Sequence, residues 1–271
     1  MLYLLATPLG NLGDINLRTI ETLSRVDIIY AEDTRRTRIL LNHLAISRPL
    51  KRYDENRPVE GSALASSLIE GLDIAFVSDA GMPLISDPGY ELVQFCLNNN
   101  LAFEAQPGAT AFSLALINSG LASHSFVFAG FLPRKKKERK EKLAHFRDYE
   151  ETLIFYEAPH RIKETLADSL KILGNRRACL SREMTKIYEE HLRMELKELL
   201  EEITANPRKG EMVLTIEGAG PKENAVIDLD ELIKNELESG SKTKEIATKI
   251  SKTLGITSSE AYKLVLERKE E

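Results

Sequence analysis

Short apolar runs alternate with longer amphipathic stretches through the first two-thirds of the chain, and few architectures accept that rhythm. Leu2–Ala6, Val26–Tyr30, Leu50–Tyr53, Ile74–Val77, Leu101–Ala105 and Phe126–Phe131 read as strands, with helices over Asn16–Arg25, Thr34–Leu44 and Val59–Glu70. Such alternation calls for crossover units and a mainly parallel sheet covered on both faces. A basic stretch, Arg134 to Lys142, then leads into a second set. Its strands are Thr152–Tyr156, Ala178–Arg182 and Glu211–Glu217, and its helices Ile162–Leu173 and Leu196–Ile203. The expected fold class is therefore α/β, with two α/β domains at 1–120 and 121–220. After Gly218-Ala219-Gly220-Pro221 the chain turns polar, with helical patterns at Asp230–Glu238, Lys244–Leu254 and Ser258–Glu267 and a turn at Gly255-Ile256-Thr257. Ile246, Ala247, Ile250 and Leu254 share one stripe, as do Ala261, Leu264 and Val265. Residues 221–271 thus read as a helix-turn-helix-like extension, a plain helical hairpin being the alternative.

Several function classes drop out on composition. No apolar run reaches the roughly 18 residues of a membrane span. The start, Met1-Leu2-Tyr3-Leu4-Leu5-Ala6, lacks a basic leader and is ended by Pro8 and Gly10, so it reads as a buried strand rather than a signal peptide. Cys96 and Cys179 sit in apolar stretches without partner spacing, which predicts buried reduced thiols and a cytoplasmic protein. The five histidines are scattered, so no metal is expected. A net charge of −5 excludes a uniformly cationic nucleic-acid binder but leaves room for local basic patches.

The loops after the strands carry the chemistry. Ser78-Asp79-Ala80-Gly81-Met82-Pro83-Leu84-Ile85-Ser86-Asp87-Pro88-Gly89 follows a wholly apolar strand. A rigid polar loop there suits an adenosyl ligand's ribose and carboxylate, although an elaborate helix-capping loop would look similar. Thr7-Pro8-Leu9-Gly10-Asn11-Leu12-Gly13-Asp14 and Gln106-Pro107-Gly108-Ala109-Thr110-Ala111 bring glycines to the same sheet edge, where α/β proteins bind small molecules. The first is no dinucleotide fingerprint, and a simple tight turn between strand and helix is its alternative reading. Ala31-Glu32-Asp33-Thr34-Arg35-Arg36-Thr37-Arg38 joins an acidic N-cap to three arginines that oppose the helix dipole, a conflict a phosphate ligand would resolve. Phe155-Tyr156-Glu157-Ala158-Pro159-His160-Arg161 ends another strand with mixed donors and acceptors, and Thr185-Lys186 and Lys209-Gly210-Glu211 are weaker signals of the same kind.

Taken in order, ATPLGNLGDINLR, AEDTRRTR, VSDAGMPLISDPGY, PGATA, GFLPRKK, FYEAPHR, TKIYEE and KGEMVLTIEG resemble the tetrapyrrole-methylase superfamily, specifically its members that methylate small-subunit ribosomal RNA. The likeness runs through roughly residues 1–218, and the tail resembles a C-terminal extension of these proteins. Met82 and Leu84 stand where that pattern has smaller residues such as Thr and Gly, and Gln106 replaces an Ile. The resemblance implies a cleft between the two α/β domains that holds S-adenosylmethionine, in a homodimer. It also implies 2′-O-methylation of a cytidine in the decoding region of 16S rRNA, presented as RNA or as the assembled 30S subunit. Carried onto this chain, cofactor positions are Pro8, Leu9, Gly10, Asp79, Ala80, Gly81, Met82, Thr110, Ala111, Tyr156 and Glu157. Candidates to take the ribose proton are Glu32, Asp33, Glu157 and Lys186, unranked. Arg35, Arg36, Arg38, Arg134, Lys135, Lys136, Lys137 and Arg161 are expected to grip phosphates. Two alternatives remain: a methylase of this fold acting on a tetrapyrrole or other small molecule, and a non-catalytic RNA-binding protein.

Overall fold

The strands Leu2–Leu5 (β1), Ile28–Ala31 (β2), Leu50–Arg52 (β3), Ile74–Val77 (β4) and Phe103–Ala105 (β5) form one sheet in the order β3-β2-β4-β1-β5. All four pairings are parallel. Successive side chains on a strand point to opposite faces, and here both faces are buried. Leu2, Leu4, Ile28, Tyr30, Ile74 and Phe76 pack on one side; Tyr3, Leu5, Ile29, Ala31, Ala75 and Val77 pack on the other. The helices follow that division. Leu17–Arg25 (α1) and Thr34–His43 (α2) cover the second face through Leu23 and Leu41, while Ala63–Ile69 (α3) and Tyr90–Asn98 (α4) cover the first. The parallel, doubly covered sheet expected from the strand pattern is what forms. The structure is a computed structural model that describes residues 1–220, 233, 234, 236, 239, 241–254 and 257–269.

The second sheet is mixed, unlike the first. Phe126–Phe131 (β6), Thr152–Glu157 (β7), Arg177–Arg182 (β8), Glu190–Glu195 (β9) and Met212–Ile216 (β10) lie in the order β6-β7-β10-β8-β9. Only β6 and β7 run parallel; β10 is antiparallel to β7 and β8, and β9 to β8. The β9 strand is not among those expected from the sequence. Glu190-His191-Leu192-Arg193-Met194-Glu195 has the period-two alternation of an edge strand but too few apolar residues to stand out. Lys136–His145 (α6), Ile162–Leu173 (α7) and Leu196–Ala205 (α8) cover one face. The other face receives Ala111–Ser119 (α5), whose Ala115 and Leu116 pack against Ile154, Met184 and Val213. A helix within the 1–120 segment thus belongs by its packing to the second sheet.

By internal packing the chain divides at Ala219 into Met1–Ala219, which holds both sheets, and Gly220–Glu271. The latter contains the helices Thr243–Leu254 (α9) and Ser258–Lys269 (α10) around Ile233, Ile246, Ala247, Ile250, Ala261 and Val265. Thr257 and Glu260 cap α10 reciprocally. The expected helix at Asp230–Glu238 and the Gly255-Ile256 turn lie largely outside the described residues, as does the Leu254 side chain. Among the described residues no helix is long and apolar enough to cross a membrane. Cys96 and Cys179 are free and buried.

Candidate active site

The loops after β1 and β4 are stitched together at the carboxyl edge of the parallel sheet. Thr7 and Gly81 exchange two backbone hydrogen bonds of 2.9 Å, the Thr7 hydroxyl donates to the Ser78 carbonyl (3.1 Å), and the Ser78 hydroxyl donates to the Gly81 carbonyl (2.9 Å). Gly81 has φ 85°, and a Cβ there would stand 3.0 Å from Leu9 Cδ2 and 3.3 Å from the Ala109 carbonyl oxygen. Only a residue without a side chain lets three loops approach this closely.

Above this floor lies a cavity of about 650 Å³, ample for a small-molecule ligand. The first sheet and its loops supply Leu9, Glu32, Arg36, Asp79, Ala80, Gly81, Met82, Ile85, Ser86, Asp87, Thr110 and Ala111. The second sheet and its loops supply Phe131, Tyr156, Glu157, Ala158, Pro159, Glu183, Met184, Gly210, Glu211, Met212 and Val213. Nine of the expected cofactor positions therefore line one cavity: Leu9, Asp79, Ala80, Gly81, Met82, Thr110, Ala111, Tyr156 and Glu157. Pro8 and Gly10 lie outside it. Gly10 instead gives room to the aliphatic part of Lys186, which a Cβ would strike. Tyr156 stacks edge-on against Phe128 and Phe131, at centroid distances of 4.9 and 5.6 Å, and burial pushes its phenol up to about 12.

The four proton-acceptor candidates fare differently. Glu32 lines the cavity, and burial together with the negative charges of Asp79 and Glu55 raises its carboxyl above the usual range. Asp33 caps α2 and is gripped in two-point fashion by Arg35 (Nε–Oδ1 3.0 Å, Nη2–Oδ2 2.6 Å), which holds it well below the carboxylate range. Glu157 is 2% exposed; its oxygens accept from the Ala158 N–H (2.9 Å) and the Thr165 hydroxyl (2.5 Å). Lys186 reaches Glu183 (3.2 Å) and Glu211 (3.0 Å); burial opposes its charge, but these carboxylates prevail and hold the ammonium above its ordinary value.

The cationic candidates also separate. Arg35, Arg38, Arg134, Lys135, Lys136 and Lys137 are exposed at the surface. Arg36 turns to the cavity and pairs with Asp79 at 3.5 Å. Arg161 points inward, donating to the carbonyls of Leu132 (2.7 Å) and Pro133 (3.1 Å) beside Glu157. Arg139, in the midst of the basic run, is buried between Asp168 and Glu164. Gln106, the residue in place of Ile, is buried and donates to the Thr22 hydroxyl (3.0 Å).

Sequence reasoning missed Asp87, Glu183, Met184 and Val213 as cavity residues, and it marked Glu211 only weakly. Asp87 was visible as the second aspartate of its loop. The others arrive only because β8 and β10 pair antiparallel and end at the same rim. Burial first, then the charges of Glu32 and Asp79, lift the Asp87 carboxyl to about 6. The backbone around the cavity is also unusual. Leu84, Ser86, Glu183 and Thr185 all have φ between 48° and 70°, a left-handed region that side-chain-bearing residues seldom occupy.

Residues 1–200 match the family described as Tetrapyrrole (Corrin/Porphyrin) Methylases. A protein of Halalkalibacterium halodurans named Ribosomal RNA small subunit methyltransferase I is 52% identical over 222 residues, 82% of this chain and 77% of its own length. Proteins of the same name from Haemophilus influenzae and Synechocystis sp. are each 46% identical, over 83% and 88% of this chain and 81% and 86% of theirs. Among solved structures, the methyltransferase CobJ superposes with a TM-score of 0.62 at 16% identity, covering 80% of this chain and 94% of that one. The cobalamin biosynthetic enzyme cobalt precorrin-4 methyltransferase, CbiF, gives 0.58 at 18% identity, covering 79% and 93%. At such identities these two speak for the fold alone.

Proposed function

The chain belongs to the tetrapyrrole methylase family, alongside the small-subunit ribosomal RNA methyltransferases I, and from that membership we propose that it methylates ribosomal RNA of the small subunit. In detail, the reading is transfer from S-adenosylmethionine to the ribose 2′-hydroxyl of a cytidine in the decoding region of 16S rRNA. The likeness to ribosomal RNA methyltransferases carries the acceptor, and the cavity supports the donor. Its walls combine apolar surface at Leu9, Met82, Ala111, Met184 and Val213 with the carboxylates of Glu32 and Asp79. That mixture fits a ligand with an adenine, a ribose and an amino-acid tail. When bound, S-adenosylmethionine would supply an electrophilic methyl group.

The chain's own residues then have distinct tasks. The bare backbone at Gly81 and the small side chains of Ala80, Thr110 and Ala111 admit a flat ring. Asp79 offers a carboxylate to hydroxyl or ammonium groups. Glu32 or another cavity carboxylate accepts the ribose proton; Asp33, Glu157 and Lys186 are each committed to partners. Arg35, Arg38 and the cluster Arg134–Lys137 position RNA phosphates at the surface. Placement of the acceptor oxygen in line with the methyl group supplies most of the acceleration.

The deciding experiment offers labelled S-adenosylmethionine to 30S subunits lacking ribose methylation and maps the product by primer extension at low dNTP. A single 2′-O-methyl stop in the decoding region is the expected result. Cofactor binding without transfer to the subunits, or transfer to a tetrapyrrole instead, would reject the ribosomal reading.

A further inference from the structure

Most carboxylates around the cavity already have partners. Asp79 accepts from the Asp33 N–H (3.0 Å) and faces Arg36 (3.5 Å). Both Glu157 oxygens are hydrogen-bonded, and Glu183 and Glu211 share Lys186. Glu32 and Asp87 remain, carboxylates that no cation of the described residues pairs with directly. Asp87 stands in a loop whose backbone is fixed by left-handed Leu84 and Ser86, and whose Ser86 is wedged against Gly130 of β6; a Cβ on that glycine would lie 3.1 Å from Ser86 Oγ. The charged and titratable groups that face Asp87 are Glu32 from the loop after β2, Asp79 from its own loop, Glu211 before β10 and Tyr156 on β7. Arg36, the cation of this wall, is engaged with Asp79; the Ser78 hydroxyl, which donates to the Gly81 carbonyl, also stands close enough to Asp87 to offset part of the rise that burial and the like charges impose on its carboxyl.

We infer that Asp87 is the residue that takes the proton from the acceptor hydroxyl, an inference that rests on the methyltransferase reading above. The hydroxyl O–H bond breaks and its proton bonds to an Asp87 carboxylate oxygen, which later releases it to solvent. The electron pair left on the ribose oxygen forms the new bond to the transferred carbon, while the carbon–sulfur pair stays with sulfur. A rigid loop suits this task because a general base must sit within hydrogen-bond reach of one atom. With its carboxyl lifted to about 6 by burial and by Glu32 and Asp79, Asp87 is ionised at neutral pH yet more basic than an ordinary carboxylate.

Thermal unfolding of the cofactor-free protein reads Asp87 without turnover. A carboxyl raised in the native state destabilises the fold only when ionised. Asp87→Asn should therefore raise Tm at pH 8, with the difference vanishing below about pH 4, the unfolded-state carboxylate range. In assays on 30S subunits, wild-type kcat/KM should climb with pH and level off above about 6. Asp87→Asn should lose that limb and at least about 100-fold in rate, with S-adenosylmethionine affinity unchanged by calorimetry. Glu32→Gln removes a like charge and should move the limb to lower pH. A limb that survives Asp87→Asn, a limb indifferent to Glu32→Gln, a lower Tm for Asp87→Asn at pH 8, or loss of cofactor affinity would each overturn the assignment. Absence of transfer by the wild-type protein at every pH rejects the ribosomal reading itself, and the assignment with it.

Discussion

Leu84 has φ 70°, so this chain keeps a strained residue in the loop that forms the cavity floor. A left-handed conformation costs an L-residue about 1–2 kcal/mol, and Leu84 recovers part of that by packing against the core on one face of the first sheet. Its neighbour Gly89 shows the complementary case. With φ 124°, and with Phe76 Cε1 2.7 Å and Leu84 Cδ1 2.9 Å from any Cβ, Gly89 has both a backbone and a steric reason to be glycine. Gly89→Ala should lower stability by roughly 1–3 kcal/mol, seen as a lower urea midpoint with an unchanged slope; an unaltered midpoint would mean that the loop relaxes freely. Residue identities of this kind were partly legible. Glycines and aspartates in the Ser78–Gly89 segment announced a special loop, but nothing in the sequence showed that Asp79 engages Arg36 while Asp87 meets no cation among the described residues. That distinction depends on which charged or amide group each carboxylate faces after folding.

The helix α6 is a basic run that the fold divides in two. Arg139 turns inward to Asp168 (2.8 Å) and Glu164 (3.0 Å), with Lys140 also near Asp168, and thereby ties α6 to α7. Removing one partner of so buried a pair would strand the other charge, so Arg139 serves the fold. Lys135, Lys136 and Lys137, at the start of the same element, stay exposed and accessible to phosphate. Replacing these three lysines with alanine should weaken binding to 16S rRNA. It should also flatten the log–log salt dependence by about 0.7 for each phosphate of single-stranded RNA that the lysines no longer neutralise. S-adenosylmethionine affinity should not change. An unchanged salt slope would place the RNA elsewhere. Strand β9 teaches a related lesson: its charged alternation, Glu190 to Glu195, carried a strand signal too faint to read, and only pairing with β8 reveals it.

At the scale of the whole molecule, α5 and β6 leave an apolar surface: Ile117 is 72% exposed, Phe131 54% and Phe126 42%, with Phe126 beside Phe112 and Phe112 stacked on Phe128. Exposed apolar side chains of this kind are what a subunit contact would cover, and we propose that the homodimer implied by the family resemblance uses them. Ile117→Glu with Phe126→Glu should shift a dimer to monomer in sedimentation equilibrium; a wild-type monomer at micromolar concentration would reject the proposal. The sequence by itself determined the α/β class, the first sheet's strands and the loops that end them, because apolar periodicity and turn chemistry are local. It also marked most of the cavity's first wall, since glycines and aspartates at strand ends have few other uses. Tertiary structure alone decided the rest. It set the antiparallel course of β8 to β10, which brings Glu183, Met184, Glu211 and Val213 to the rim, and it packed α5 against the second sheet. It also sorted the ionisable groups, turning Arg161 and Arg139 inward, pairing Asp33 and Lys186, and leaving Asp87 among like charges. Charge and protonation depend on neighbours distant in the chain, and a sequence does not state which neighbours those are.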